Sequence, residues 1–260
     1  MKEKKVVYYR DELNDEFSSA VIKAKRIDGS YVYDHTSLFK KFTHFFWYRI
    51  VAVPLAYGYL KIHFRHKIVN RDVLKFAKDT GCFIYGNHTQ PVGDAVIPTF
   101  VCWPRDAYVI VHPANVSMPF LGKINPSMGA IPLPDDREAM KNFQKELDRV
   151  MEKKEGITIY PEAHIWPYYT GIRNFKDSSF RYPAKYQVPV FCFTNTYHKK
   201  RFGKSPKIIT YVDGPFYPDE EGSLKEQKQK LHAQVMASMK ENCKHNTVEL
   251  VRYMKKEMES

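Results

Sequence analysis

The sequence predicts an α/β fold: a mostly parallel mixed sheet flanked by helices, with an N-terminal membrane-docking helical segment. Three observations predict it. Short apolar and aromatic runs alternate with stretches of helical periodicity, the pattern of strand–helix–strand units. The chain has 260 residues, enough for one large domain with a substantial core. One basic, aromatic stretch near the N-terminus contains no acidic residue from His35 to Arg71.

The first residues, Met1-Lys2-Glu3-Lys4-Lys5 through Asp11-Glu12, are charged and lack the apolar centre of a signal peptide. The acid-free stretch carries Lys40, Lys41, Arg49, Lys61, Arg65, Lys67 and Arg71, a charge of +7. Inside it the run from Phe45 to Leu60 is apolar and aromatic, interrupted by Arg49 and shorter than the roughly 20 residues a spanning helix needs. Rings beside cations suit a helix lying in a bilayer interface. The alternative is a buried helix whose flanking charges are solvated. Strands are expected at 82–85, 107–111, 157–160, 190–193 and 208–212, with 130–133 weaker because Pro132 disfavours a sheet interior. Asp135-Asp136 opens a helix to about Lys154, with Ala139, Phe143, Leu147, Val150 and Met151 at helical spacing. A last helix starts at Leu224, with Leu231, Val235 and Met239 on one face, and the polar tail to Ser260 is expected to fray. The units are therefore an N-terminal extension (1–36), the basic interface segment (37–69), the α/β domain (70–222), and a C-terminal helix and tail (223–260).

Composition narrows the partners without choosing one. Forty-one Lys and Arg against 29 Asp and Glu leave +12, which suits nucleic acid, an anionic membrane or a phosphorylated substrate. Cys82, Cys102, Cys192 and Cys243 form no CxxC pair and no disulfide framework, so a reducing cytoplasmic compartment is the simpler reading. Neither a GxGxxG nor a P-loop pattern occurs, and no nucleic-acid motif is present. The cluster Lys199-Lys200-Arg201-Phe202-Gly203-Lys204 reads as a solvated loop between strands. His63 and His66 stand at helical spacing with no carboxylate or Cys close by, so no metal site is expected.

In α/β sheets function gathers where strands end. The strand at 82–85 runs into Gly86-Asn87-His88-Thr89-Gln90-Pro91-Val92-Gly93-Asp94. On a continuous helix His88 and Asp94 would be rotated by about 600°, so they meet only across a bend, which Pro91 and Gly93 support. A carboxylate on one imidazole nitrogen fixes the tautomer and makes the other nitrogen a base toward a hydroxyl. On spacing alone the commoner reading is a capping Asp beside an unrelated loop His. The strand at 157–160 likewise leads into Tyr160-Pro161-Glu162-Ala163-His164. His164 either lines a pocket or satisfies a loop carbonyl.

The order of these pieces resembles the glycerolipid acyltransferase family, whose best-known type is 1-acyl-glycerol-3-phosphate acyltransferase. The matching segments are Asn87-His88 with Asp94, Met128-Gly129-Ala130-Ile131-Pro132-Leu133, Tyr160-Pro161-Glu162, Asn174-Phe175-Lys176 through Arg181, and Gln187-Val188-Pro189-Val190-Phe191. Two departures stand out: five residues separate His88 from Asp94 where the family has four, and Ala163-His164-Ile165 replaces Gly-Thr-Arg after the Glu. The resemblance implies acyl transfer from acyl-CoA or acyl-carrier protein to the free hydroxyl of a lysophospholipid, with 1-acyl-glycerol-3-phosphate the default acceptor. It implies His88 as general base oriented by Asp94, and Asn87, Glu162, His164, Arg173, Lys176, Gly129 and Arg137 around the substrates. It needs no cofactor beyond the acyl thioester. It places the protein on the inner face of the cell membrane, against an anionic surface, with no nucleic-acid partner. The alternatives are a different hydroxyl acceptor, or a basic membrane- or nucleic-acid-binding protein without catalysis.

Overall fold

The computed structural model of the protein describes residues 5–18, 22–33, 37–203 and 205–256. In chain order, β1 (Lys5–Tyr9) precedes a helical rod that contains α1 (Leu38–His44) and α2 (Val53–Gly58). Then come β2 (Lys67–Val69), β3 (Cys82–Gly86), α3 (Gly93–Cys102), β4 (Ala107–Val111), α4 (Leu121–Ile124) and β5 (Ala130–Pro132). The chain continues through α5 (Arg137–Glu152), β6 (Gly156–Ile159), α6 (Arg181–Tyr186), β7 (Val190–His198), β8 (Lys207–Phe216), α7 (Leu224–Cys243) and β9 (Val251–Lys255). Seven strands form one sheet in the order β2-β8-β7-β3-β6-β4-β5, parallel except where β8 runs against β7.

The side chains of β3 show why the sheet carries helices on both faces. Phe83 and Tyr85 enter a core layer with Phe143 and Leu147 of α5, Tyr182 of α6, and Leu231, Val235 and Met239 of α7. Cys82 and Ile84 enter the other layer, with Ile97 and Val101 of α3 and with Leu60 and Phe64. Such period-two alternation of apolar side chains on a strand buried on both faces is what the continuous apolar runs encoded. Helix α5 begins where the acids predicted: Asp136 caps it by accepting from the Ala139 N–H at 2.8 Å.

Between His44 and Phe64 the rod winds in part as π-helix, over Phe45–Ala52 and Tyr59–His63, and the backbone stays right-handed helical through each junction. The Val53 N–H reaches back five residues to the Tyr48 carbonyl, and Pro54, which has no N–H, follows directly. This looser winding keeps a stripe of spacing four on one face: Tyr48, Ala56, Leu60 and Phe64 are buried, and His44 and Ala52 partly so. A regular α-helix, with 3.6 residues per turn, would rotate that stripe away. The other faces leave Leu38, Phe39, Phe42, Phe45, Ile50, Leu55 and Ile62 exposed. No helix among the described residues is long and apolar enough to cross a membrane.

Arg49, which interrupts the apolar run, turns inward. Its guanidinium pairs with Asp106 and donates to the Pro104 carbonyl at 2.7 Å. His44 reaches the same carboxylate at 2.9 Å and the Ser127 carbonyl at 2.7 Å. Tyr48 accepts from the Ala107 N–H at 2.9 Å. The rod is thus fastened to the start of β4 through one carboxylate.

One expectation needs correction. The tail does not fray through 251–255: β9 pairs in parallel with β1, in register from Lys5↔Val251 to Tyr9↔Lys255. Two short polar-flanked segments at opposite ends of the chain carry no local signal of their pairing. Strand β2 was likewise unannounced, because three residues are too few to show alternation. In the basic loop, Lys200 donates to the His63 carbonyl at 2.7 Å and to Ser205 at 3.0 Å, tying that loop to the end of the rod.

Burial alone would raise the Asp106 carboxyl pKa, but His44 and Arg49 outweigh it and hold the pKa below the ordinary value. A lowered folded value stabilises the native state above about pH 4 and loses that contribution as pH falls through the folded value. Asp106→Asn is expected to cost about 1–3 kcal/mol at pH 7 in urea unfolding. The gap to wild type should close below about pH 4; an equal gap at pH 3 and pH 7 would contradict this role.

Candidate active site

Strands β3 and β6 are parallel neighbours, so their C-terminal ends bring Asn87-His88 and Tyr160-Pro161-Glu162 together at one edge of the sheet. Gly86 makes the approach possible: a Cβ there would lie 2.3 Å from the Phe193 ring and 2.8 Å from that of Tyr160. The chain then bends through Gln90 and Val92, whose carbonyls accept from the N–H groups of Asp94 and Ala95. That bend opens α3 with Asp94 in its first turn and absorbs the five-residue spacer. It returns Asp94 to His88, with Nδ1 to Oδ2 at 2.9 Å.

The carboxylate is fully engaged. Oδ2 also accepts from the Gln90 N–H at 2.9 Å, and Oδ1 accepts from Nδ2 of Asn195 at 3.3 Å. Burial raises the Asp94 pKa above the ordinary carboxylate value, and the hydrogen bonds from His88 and from the Gln90 and Thr89 amides offset it only in part. Three donors and no acceptor facing its oxygens is the pattern of an ionised carboxylate. His88 therefore presents Nδ1–H to Asp94 and keeps a lone pair on Nε2. The imidazole side chain is 23% exposed and that of Asp94 4%, so the pair joins an accessible imidazole to a sequestered carboxylate.

His88 is held from three directions. Its N–H donates to Glu162 Oε2 at 3.0 Å, and its carbonyl accepts from the Trp166 N–H at 3.1 Å. The ring stacks on Tyr160, centroids 4.7 Å apart and planes tilted by 25°. The Tyr160 hydroxyl donates to the Asp94 carbonyl at 2.5 Å. The next residue, Thr89, is fixed through its carbonyl by the Tyr168 N–H at 2.8 Å and through its hydroxyl by Tyr197 at 2.7 Å.

The other expected site residues divide into positioning groups and distant ones. Asn87 is fully buried and stitches β3 to β7: Oδ1 accepts from the Asn195 N–H at 2.7 Å and Nδ2 donates to the Asn195 carbonyl at 3.1 Å. These bonds, rather than a substrate, occupy its amide. Glu162 accepts from the N–H groups of both His88 and Arg173, the latter at 2.8 Å. Burial raises its pKa, opposed by the Arg173 charge. The Arg173 guanidinium, expected near the acceptor, is directed inward instead. It lies 3.5 Å from Glu162, donates to the carbonyls of His164 and of Glu12 (3.3 Å), and stacks 4.8 Å over Trp166. It is 1% exposed, because residues 12–16 of the N-terminal segment lie across it: Glu16 reaches the Ile165 N–H at 3.2 Å and His164 at 3.3 Å.

Gly129 holds a turn. Its φ is +90° and a Cβ would lie 2.6 Å from the Ala107 carbonyl oxygen. Arg137 starts α5 after β5, on the same sheet edge but three strands from β3, about 14 Å at the usual strand spacing. Lys176 is exposed at the start of the 3-10 turn Asp177–Phe180. Sequence reasoning missed Tyr160 as the ring under His88, and Asn195 as the second partner of Asp94. A signal for Asn195 existed: Thr194-Asn195-Thr196 puts three polar residues in an otherwise apolar buried strand. Among the described residues, no group of three His, Cys, Asp or Glu is placed to hold a metal ion.

Arg173→Leu leaves the Glu162 carboxylate buried without its cation. A loss of about 3–5 kcal/mol in unfolding free energy is expected. Calorimetry with parallel kinetics checks this; a variant of native stability with only a raised KM would instead make Arg173 a substrate ligand.

A family model described as Acyltransferase matches residues 62–194, just over half of the chain and inclusive of His88, Asp94, Glu162 and Arg173. The crystal structure of PlsC, the 1-acyl-sn-glycerophosphate (LPA) acyltransferase from Thermotoga maritima, superposes with a TM-score of 0.55 at 16% identity. That match covers 75% of this chain and 80% of the other and shows a shared fold. Comparison with curated proteins gives no match. The chain belongs to the acyltransferase family.

Proposed function

We propose that this acyltransferase moves a fatty acyl group from a thioester, of coenzyme A or an acyl-carrier protein, to the free hydroxyl of a lysophospholipid. The expected acceptor is 1-acyl-glycerol-3-phosphate, in keeping with the activity of the structurally similar PlsC. The observation that carries the reading is the 2.9 Å bond from His88 Nδ1 to a buried carboxylate, which leaves Nε2 as a base at the accessible end of the pair.

In this mechanism Nε2 takes the acceptor's hydroxyl proton as the oxygen attacks the thioester carbonyl. Asp94 stabilises the imidazolium that forms. Collapse of the tetrahedral intermediate breaks the C–S bond, and the imidazolium returns the proton to the departing thiolate. The products are the acylated lipid and a free thiol. No covalent acyl-enzyme and no resident cofactor is required. Glu162 acts through the His88 backbone, as a positioning residue. With Arg173 directed inward, the exposed Lys176 and Arg137 are the remaining cations of the expected set for an acceptor phosphate.

The same proposal puts the protein peripherally on the inner face of the cell membrane. Segment 37–69 would be its docking unit. The exposed Leu38, Phe39, Phe42, Phe45, Ile50, Leu55 and Ile62 lie among cations with no acid between His35 and Arg71, a surface suited to an anionic bilayer. The four cysteines are free, which accords with a reducing compartment.

Two experiments test the reading. Purified protein with labelled acyl thioester and a panel of lysophospholipids should acylate one of them. His88→Ala should lower turnover by about 10³-fold or more while leaving the circular dichroism spectrum unchanged; retained turnover would end the assignment. The double variant Phe39→Ser/Phe42→Ser should lose most co-sedimentation with anionic vesicles, and raised salt should weaken wild-type binding. Undiminished binding would locate the docking surface elsewhere.

A further inference from the structure

Asp94 Oδ1 is the end of a buried chain of donors that the reaction above does not use. Asn195 lies directly opposite Thr210 across the antiparallel β7–β8 pair, so their side chains share a face. The Thr210 hydroxyl donates to Asn195 Oδ1 at 2.6 Å. On its other side Thr210 Oγ1 meets Nε2 of His66 at 2.8 Å. His66 precedes β2, which pairs with β8 through Ile68↔Thr210. All four residues are sequestered: Asp94 3% exposed, Asn195 1%, Thr210 0% and His66 4%.

Proton bookkeeping gives the chain one direction. An ionised Asp94 only accepts, so the Asn195 amide must turn Nδ2 toward it and Oδ1 toward Thr210. The single Thr210 hydrogen then goes to Oδ1. Contact with His66 therefore requires the imidazole to donate from Nε2–H. Burial, helped by the nearby Lys61 charge, lowers the His66 pKa to about 4, so the ring is neutral at pH 7 and carries one proton to give. Each donor points the same way: His66 to Thr210, Thr210 to Asn195, Asn195 to Asp94.

We propose that His66, Thr210 and Asn195 form a positioning relay that fixes the plane of the Asp94 carboxylate and hence the aim of the His88 imidazole. This rests on the reading of His88 as the base. Gln90 and His88 both bind Oδ2, which alone would let the carboxylate swing about that oxygen. Asn195 on Oδ1 stops the swing, and Asn195 is itself braced by Thr210. The far end is anchored to the rod: the His66 N–H donates to the Leu60 carbonyl at 3.0 Å, and Lys61 Nζ donates to the His66 carbonyl at 2.8 Å. The two histidines at helical spacing, His63 and His66, therefore play separate parts. His63 stacks on Tyr59, and His66 joins the relay.

The test is Thr210→Val, nearly isosteric but without the hydroxyl, against Thr210→Ser, which keeps it. Thr210→Val is expected to lower kcat about tenfold with KM within about twofold. Thr210→Ser should recover most of that loss, and the melting temperatures should agree to within about 4 °C. A Thr210→Val enzyme with wild-type kcat would overturn the relay, as would an equal kcat loss in both variants, which marks a packing effect. If Thr210→Val does not fold, His66→Phe against His66→Gln asks the same question, since the glutamine amide can donate to Thr210. Failure of the relay and of the base are separable. Active His88→Ala removes both, whereas inactive His88→Ala beside fully active Thr210→Val removes the relay alone.

Discussion

A single imidazole–carboxylate hydrogen bond organises this edge of the molecule, and much of the surrounding structure restrains it. His88 leaves β3 at the sheet's C-terminal edge, and Asp94 returns in the first turn of α3. Neither could keep that geometry unaided. A carboxylate taken out of water costs several kcal/mol unless its lone pairs are filled, and here three donors fill them. The backbone of His88 is fixed just as fully, by Glu162 on one side and Trp166 on the other. Glu162 in turn needs Arg173, and Arg173 needs the N-terminal segment that covers it. The site is thus nested: each charge moved inward is balanced by the next shell.

That nesting changes the meaning of residues that look like ligands. Asn87, Glu162 and Arg173 are chemically suited to binding a polar headgroup, yet the structure directs their polar atoms toward the protein. They hold His88 in place. Under the proposed function, the acceptor's polar end would be met by more exposed groups, and the exposed cations Lys176 and Arg137 are of that kind. The N-terminal segment belongs to this frame too. Glu12, Asp15 and Glu16 give carbonyl or carboxylate oxygens to Arg173, Trp166 and Ile165, while β1 ties the same segment to β9.

The helical rod poses a different problem, how one helix serves a core and a surface at once. Its mixed winding keeps every fourth side chain on the buried stripe, freeing the remaining positions for exposed Phe, Leu and Ile. Arg49, the one charge inside the apolar run, is neutralised by Asp106. The outward face therefore keeps its apolar character, and the cations stay near its ends.

Read alone, the sequence determined the alternation of strands and helices, the helix limits at Asp136 and Leu224, and the two strand ends that lead into His88 and Glu162. These are local matters: period-two and 3.6-residue patterning, caps, and turn residues such as Pro91 and Gly93 act over a few positions. Tertiary structure decided what depends on partners far away in the chain. That Asn195 braces the carboxylate of Asp94, which way Arg173 points, and that Lys5–Tyr9 pairs with Val251–Lys255 all rest on contacts between distant segments. The orientation of a buried polar side chain is set by whichever donors and acceptors packing brings within 3 Å, and no pattern within one segment encodes that list.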